Sequence, residues 1–284
     1  MNILLLIALF LVGTFLTSFA LQWLLAGGVT AAAVAVALIL NSVLIFGLPG
    51  FVAWRVGVGR RLWLKKGECN FSVLFSTFLI ALICQPLIQW AGFVNEHICQ
   101  WEPFASLNAL VDANSDQFFA QVLNFDSLWG WLVALTIVAL LPALCEEFFF
   151  RGALMSALRR ISGSWHWAVV ISAVVFSALH LEADAFLPRL LLGGILGTLF
   201  ALTRSIWPSV LFHFVNNAAV VITIGLSAEP VEKLMAQPIE DPGIFMPIVA
   251  LALTYFELRF IAFICGRMPI QLPQLPPDAN SDAN

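Results

Sequence analysis

Eight stretches of predominantly apolar residues, about 17–26 long, set the limits on what this chain can become: roughly 2–25, 29–54, 71–94, 128–150, 165–181, 185–203, 205–226 and 244–265. A run of about 20 such residues is long enough to cross the bilayer as a helix. Lipid offers no partner to an open backbone group, so the spanning form is a helix or a closed barrel. Only 11% of the 284 residues are charged, against roughly 25% in soluble domains. The expectation is an all-α polytopic membrane protein of about eight transmembrane helices. Ser18, Phe19 and Ala20 are the right sizes for a signal-peptide cleavage site. The run before them lacks a basic start and is too long for a signal core, so it reads as an uncleaved helix.

Lys and Arg set the orientation. Arg55, Arg60, Arg61, Lys65, Lys66, Arg151, Arg159, Arg160, Arg204 and Arg267, ten of the thirteen basic residues, fall on one side of the expected topology. That side is taken as cytoplasmic, with both termini on it. The opposite side holds the segment from Asn95 to Ser127, with five acidic residues and no Lys or Arg. A bacterial inner membrane is the expected location and an endoplasmic reticulum membrane the alternative. The net charge of −4 and the lack of a basic tract argue against nucleic acid as a partner. Cys69, Cys84, Cys99, Cys145 and Cys265 are scattered without a CxxC, so neither a disulfide framework nor a thiolate zinc site is indicated. Cys145 reads as apolar filler, since nothing basic is placed to activate it. The chain divides into an N-terminal region (1–127), a core (128–226), and a last helix with a Pro-, Asp- and Asn-rich tail (227–284) that reads as disordered from Gln271.

Ionisable residues inside apolar runs usually have a partner and a task. Glu146, Glu147 and Arg151 sit near the end of the fourth run. Positions four apart share a helix face and adjacent ones diverge by about 100°. Glu147 can therefore pair with Arg151, while Glu146 points elsewhere without a counter-ion. His180 and His213 lie deep in apolar sequence, and Asn217 shares a face with His213; His97 and His166 fall near helix ends and read as solvated. The fourth and fifth helices form a hairpin turning near Gly163. Glu146 and His180 each stand 17 residues from that turn, about 25 Å along a helix and so at one height. This requires the fourth helix to continue as a stalk past Arg151. Gln85 and Pro86, with Gln89, predict a kink whose polar face looks into the bundle. Gly193, Gly194 and Gly197 predict a close helix contact.

Glu146-Glu147-x-x-x-Arg151, Phe176-x-x-x-His180 and His213-x-x-x-Asn217 stand in order on three of the expected helices, the fourth, fifth and seventh. In this the chain resembles the CAAX prenyl endopeptidase and bacteriocin-processing (CPBP, or Abi) family of intramembrane proteases, over about residues 140–226. The resemblance implies an eight-helix endopeptidase acting on a membrane-embedded, lipid-anchored or prenylated protein or peptide. It implies that Glu146 and His180 activate water, that His213 and Asn217 form the oxyanion hole, and that Glu147, Arg151 and Phe176 support the site. Members have been labelled metalloproteases, and Glu146, His180 and His213 are the set that would hold zinc. The HExxH spacing is missing, so a metal-free, cofactor-free hydrolase is expected. The alternatives are a non-proteolytic immunity or scaffold protein of the same fold, and a transporter using the polar cluster as an ion path.

Overall fold

The computed structural model describes residues 3–26, 30–56, 69–99, 123, 125–227, 229 and 239–267. Among them are nine helices and no strand. They are α1 (Ile3–Ala26), α2 (Ala31–Arg55), α3 (Phe71–Ile83), α4 (Gln85–Cys99), α5 (Leu128–Ser162), α6 (Trp165–Ala178), α7 (Phe186–Thr203), α8 (Ile206–Leu226) and α9 (Phe245–Ile264). The helices begin at short polar residues. Thr30, Asn70, Ser127 and Ser205 each accept a free first-turn N–H on a side-chain oxygen. Gly163 closes the α5–α6 turn at φ +68°, a left-handed conformation that glycine adopts without penalty.

Six of these helices are long and apolar enough to cross a membrane singly, and the bent pair α3–α4 makes a seventh. The protein is therefore a multi-pass membrane protein. The eighth expected span differs. α6 has 14 residues, about 21 Å, and stops short of the roughly 30 Å hydrocarbon core. It ends at Ala178 and not near residue 181 because Leu181 turns left-handed at φ +57°. The following turn is held by Asn95 of α4. Its Nδ2 donates to the carbonyls of Ala183 and Asp184, and its Oδ1 accepts from Leu187 N. By contrast, α5 runs for 35 residues, about 52 Å, the stalk that the height argument required. The basic cluster after α2, most of the acidic segment after α4 and the tail from Gln271 lie outside the described residues.

Two long helices widen where they approach the site. Asn41–Gly47 in α2 and Leu135–Leu140 in α5 are π-helical, and each stands just before a proline, Pro49 or Pro142. A proline ring needs room beside the carbonyl four residues back, and a widened turn supplies it. α2 then lies flush on α5. A Cβ at Gly47 would meet Cys145 Sγ at 3.0 Å, and one at Gly50 would meet the Phe148 carbonyl carbon at 2.9 Å. α3 and α4 meet at 40° around Cys84. The Gln85 amide turns into the bundle to Asn216 of α8, whereas Gln89 is exposed. The polar face expected at the kink is thus a single residue deep.

α6 and α7 pack antiparallel through the expected glycines. A Cβ at Gly193 would stand 3.0 Å from Ala173 Cα, and one at Gly197 would stand 3.1 Å from a Val169 methyl, while Gly194 faces open space. Gly193→Ala should therefore lower stability by about 1–3 kcal/mol through overpacking. Gly194→Ala should be neutral or stabilising by up to about 1 kcal/mol from helix propensity. Thermal melting of the purified protein in detergent compares the two, and equal melting temperatures would contradict this contact.

Candidate functional site

The residues singled out in the sequence come together. Glu146, Glu147 and Arg151 project from α5; Phe176 comes from α6, with His180 in the turn beyond it; His213 and Asn217 come from α8. Glu147 and Arg151 are fully buried, and Glu146 and His213 keep 8% and 6% exposure. His97 and His166 are exposed, as solvated residues should be.

Glu147 and Arg151 form the expected pair, with Arg151 Nη1 donating to Glu147 Oε1 at 2.9 Å. Arg151 Nη2 donates to the Gly193 carbonyl at 3.1 Å, and the guanidinium lies 5.1 Å from the Phe176 ring centroid. One partner escaped the sequence argument. His213 Nδ1 stands 2.9 Å from the same Glu147 Oε1. Helical spacing reveals neighbours within one helix, and this contact crosses from α8 to α5.

Those contacts fix both histidines. The partner of His180 Nδ1 is the Phe176 carbonyl at 2.7 Å, which can only accept, so Nδ1 carries the proton. In the neutral ring Nε2 then presents a lone pair. The Glu147 carboxylate likewise accepts a hydrogen bond from the Nδ1–H of His213. Both rings therefore turn Nε2 inward, and each Nε2 stands 3.9 Å from Glu146 Oε2. That oxygen is buried and has no hydrogen-bond partner. Glu146 and His180 are at one height, as counting from Gly163 required. Gaps of 3.9 Å between acceptors are too long for direct hydrogen bonds and suit a small polar group between them.

As placed, the three donors do not close around zinc. Bonds of about 2.0–2.1 Å give a tetrahedral edge near 3.3 Å, shorter than both 3.9 Å separations. Among the described residues no group of three or more His, Cys, Asp or Glu is arranged to hold a metal ion.

Glu146, His180, His213 and Asn217 line one cavity of about 840 Å³, walled on its far side by α1 and α2 through Phe10, Thr17, Ser42 and Phe46. A run of amides sets the direction of Asn217. Gln85 Nε2 donates to the Ala81 carbonyl and to Asn216 Oδ1, and Asn216 Nδ2 donates to Asn217 Oδ1 at 3.4 Å. With its oxygen engaged, Asn217 keeps its N–H groups for other partners. Asn216 had no signal of its own in the sequence, and Gln85 had one, the polar residue at the kink. Arg189 of α7 also lines the cavity; an arginine inside an apolar run was the signal that could have found it. Cys145 packs against Gly47 as filler.

Removing Arg151 alone strands a buried carboxylate. Arg151→Met should cost about 3–5 kcal/mol, and adding Glu147→Gln should recover part of it. Melting of the two variants in detergent checks the order.

Comparison with curated proteins and with solved structures gives no match. Residues 128–219 match the family model described as type II CAAX prenyl endopeptidase Rce1-like. The matched stretch runs from the start of α5 into α8 and contains every residue of the three motifs. Over these residues, about a third of the chain, the protein is similar to the Rce1-like family of type II CAAX prenyl endopeptidases.

Proposed function

We propose that this protein is a glutamate-dependent intramembrane endopeptidase that hydrolyses a peptide bond of a membrane-embedded, lipid-anchored or prenylated substrate. The observation that carries the proposal is the convergence of Glu146 Oε2 with the Nε2 atoms of His180 and His213. Water seated there gives one proton to Glu146 and donates a hydrogen bond to the lone pair of His180. Its oxygen attacks the scissile carbonyl carbon, and the carbonyl π electrons move onto oxygen. His213 donates to that oxyanion through Nε2 when its ring carries both protons, and Asn217 donates from Nδ2. Preset donors of this kind stabilise the developing charge without reorganising. Glu146 then passes its proton to the amide nitrogen, the C–N bond breaks, and the amine leaves. With the water proton on Glu146, Glu147 and the oxyanion balance Arg151 and the His213 cation, so this set of groups is neutral at this step.

No step in this scheme uses a metal or cofactor. The skew of Lys and Arg supports a bacterial inner membrane with both termini cytoplasmic.

Glu146→Gln should reduce cleavage by about 10²- to 10⁴-fold, the usual range for a general base. Asn217→Ala should cost about 10²- to 10³-fold in kcat, as removal of one oxyanion donor does. Gln85→Leu should lower kcat less than Asn217→Ala, because it frees the amide run without removing the donor. Quantitative proteomics of membrane-protein termini, wild type against Glu146→Ala in the native host, reads the first effect and reveals substrates. Identical sets of termini would count against proteolysis. Chelation should leave the rate of purified protein unchanged, and a loss restored by zinc would replace this mechanism with a metal-dependent one.

A further inference from the structure

Two arginines stand near the site, and they are used differently. Both terminal nitrogens of Arg151 are engaged, one by Glu147 and one by the Gly193 carbonyl. Arg189, in the first turn of α7, gives Nη2 to Glu182, whose side chain keeps 32% exposure. Its Nη1 is shut off from solvent and has no hydrogen-bond partner. Arg189 lines the same cavity as Glu146, His180 and Asn217. An unmet, solvent-excluded N–H on a half-buried cation is costly. A guanidinium is always charged, and its fork of donors fits the two oxygens of a carboxylate.

Resting on the proteolytic reading above, we propose that Arg189 is the carboxylate-recognition residue of the substrate cavity. The Arg189 side chain, which keeps 22% exposure, takes a carboxylate of the bound peptide, a small turn of the guanidinium bringing the unpartnered Nη1 out to the cavity while Glu182 holds the other arm. The carboxylate is either the peptide's free C-terminus or an Asp or Glu side chain near the scissile bond. A singly charged group fits better than a phosphate dianion, because Glu146 and Glu182 share the cavity wall and repel further negative charge. Arg189 thereby selects substrates, and Glu146 and His180 act on whatever it has admitted.

The test uses the full chain in nanodiscs and an internally quenched, membrane-anchored peptide in three forms. One ends in a free carboxylate, one in a carboxamide, and one is a carboxamide with an Asp beside the scissile bond. In wild type at least one carboxylate form should exceed the plain carboxamide by about 10- to 100-fold in kcat/KM, the weight of a hydrogen bond to a charged group. That ratio should fall to about one in Arg189→Gln and be partly kept in Arg189→Lys, whatever each variant does to the rate on the carboxamide. Which form is preferred identifies the source of the carboxylate. A wild-type ratio near one, or a ratio unchanged in Arg189→Gln, overturns the proposal. Anisotropy of the same labelled peptides on Glu146→Gln and Glu146→Gln/Arg189→Gln separates recognition from cleavage. If no peptide is cut yet the carboxylate forms still bind tighter only when Arg189 is present, proteolysis fails and Arg189 recognition stands. If the Arg189 change weakens binding of phosphatidylglycerol alone, Arg189 is a lipid site and the proposal is overturned.

Discussion

Glu147 is the residue on which the arrangement of the site depends. One of its oxygens accepts from Arg151 on its own helix and from His213 on α8, and Arg151 reaches on to the Gly193 carbonyl of α7. Gly193 in turn lies against Ala173 of α6. A single buried carboxylate thus joins two helices directly, a third through Arg151 and a fourth through packing. In a membrane protein this matters more than in a soluble one, because lipid gives apolar helices little reason to prefer one neighbour over another. A charge in hydrocarbon has only the partners the fold brings to it. The bundle that satisfies Glu147 is also the one that aims His213 at Glu146.

The close approaches around this hub are made by small residues and widened turns. Gly47 and Gly50 let α2 lie on α5 beside Cys145 and Phe148. The π-helical stretch Phe148–Met155 carries Arg151 itself, and such stretches recur at functional sites because they re-aim side chains that a regular helix would spread evenly. A chain of ring contacts then runs from Phe46 to Phe150 to Phe176, and from Phe176 to both His180 and His213. The histidines are seated against a dry aromatic wall on one side and open to the cavity on the other. That contrast keeps Glu146 Oε2 buried yet without a protein partner.

Much of this was legible in the sequence because the relevant physics is local. Helix positions follow from apolar length, the Glu147–Arg151 pair from i,i+4 spacing, and the common height of Glu146 and His180 from counting out of Gly163. What escaped was contact between helices whose rotation about their axes spacing cannot fix. The His213–Glu147 bond, the Gln85–Asn216–Asn217 run and the Asn95 clamp on the turn beyond His180 all join residues at least 66 positions apart, or pass through a residue with no motif. The end of α6 was misplaced for a related reason. Its sequence is largely apolar through Leu179, and the early turn is held by Asn95 and Cys99, reaching across from α4, and by Ser177 on the Phe186 carbonyl.

The two adjacent glutamates show how one helix can hold opposite roles side by side. A rotation of about 100° separates them. It sends Glu147 to a cation and an imidazole N–H, and Glu146 to two imidazole nitrogens that carry no proton in their neutral form. Glu147 is held through Oε1 by two fixed donors, although its Oε2, like Glu146 Oε2, is buried without a hydrogen-bond partner. An unsatisfied carboxylate between two lone pairs, as Glu146 is, is short of hydrogens, and a water molecule brings two. The site is therefore incomplete in a specific sense: its inner surface is made of acceptors, with the donors Arg189 and Asn217 set along the same cavity. In the proposed reaction a peptide would bring carbonyl oxygens, and a carboxylate for Arg189, to those donors, and water would bring the donors that Glu146 and His180 lack. Neither alone would meet both needs.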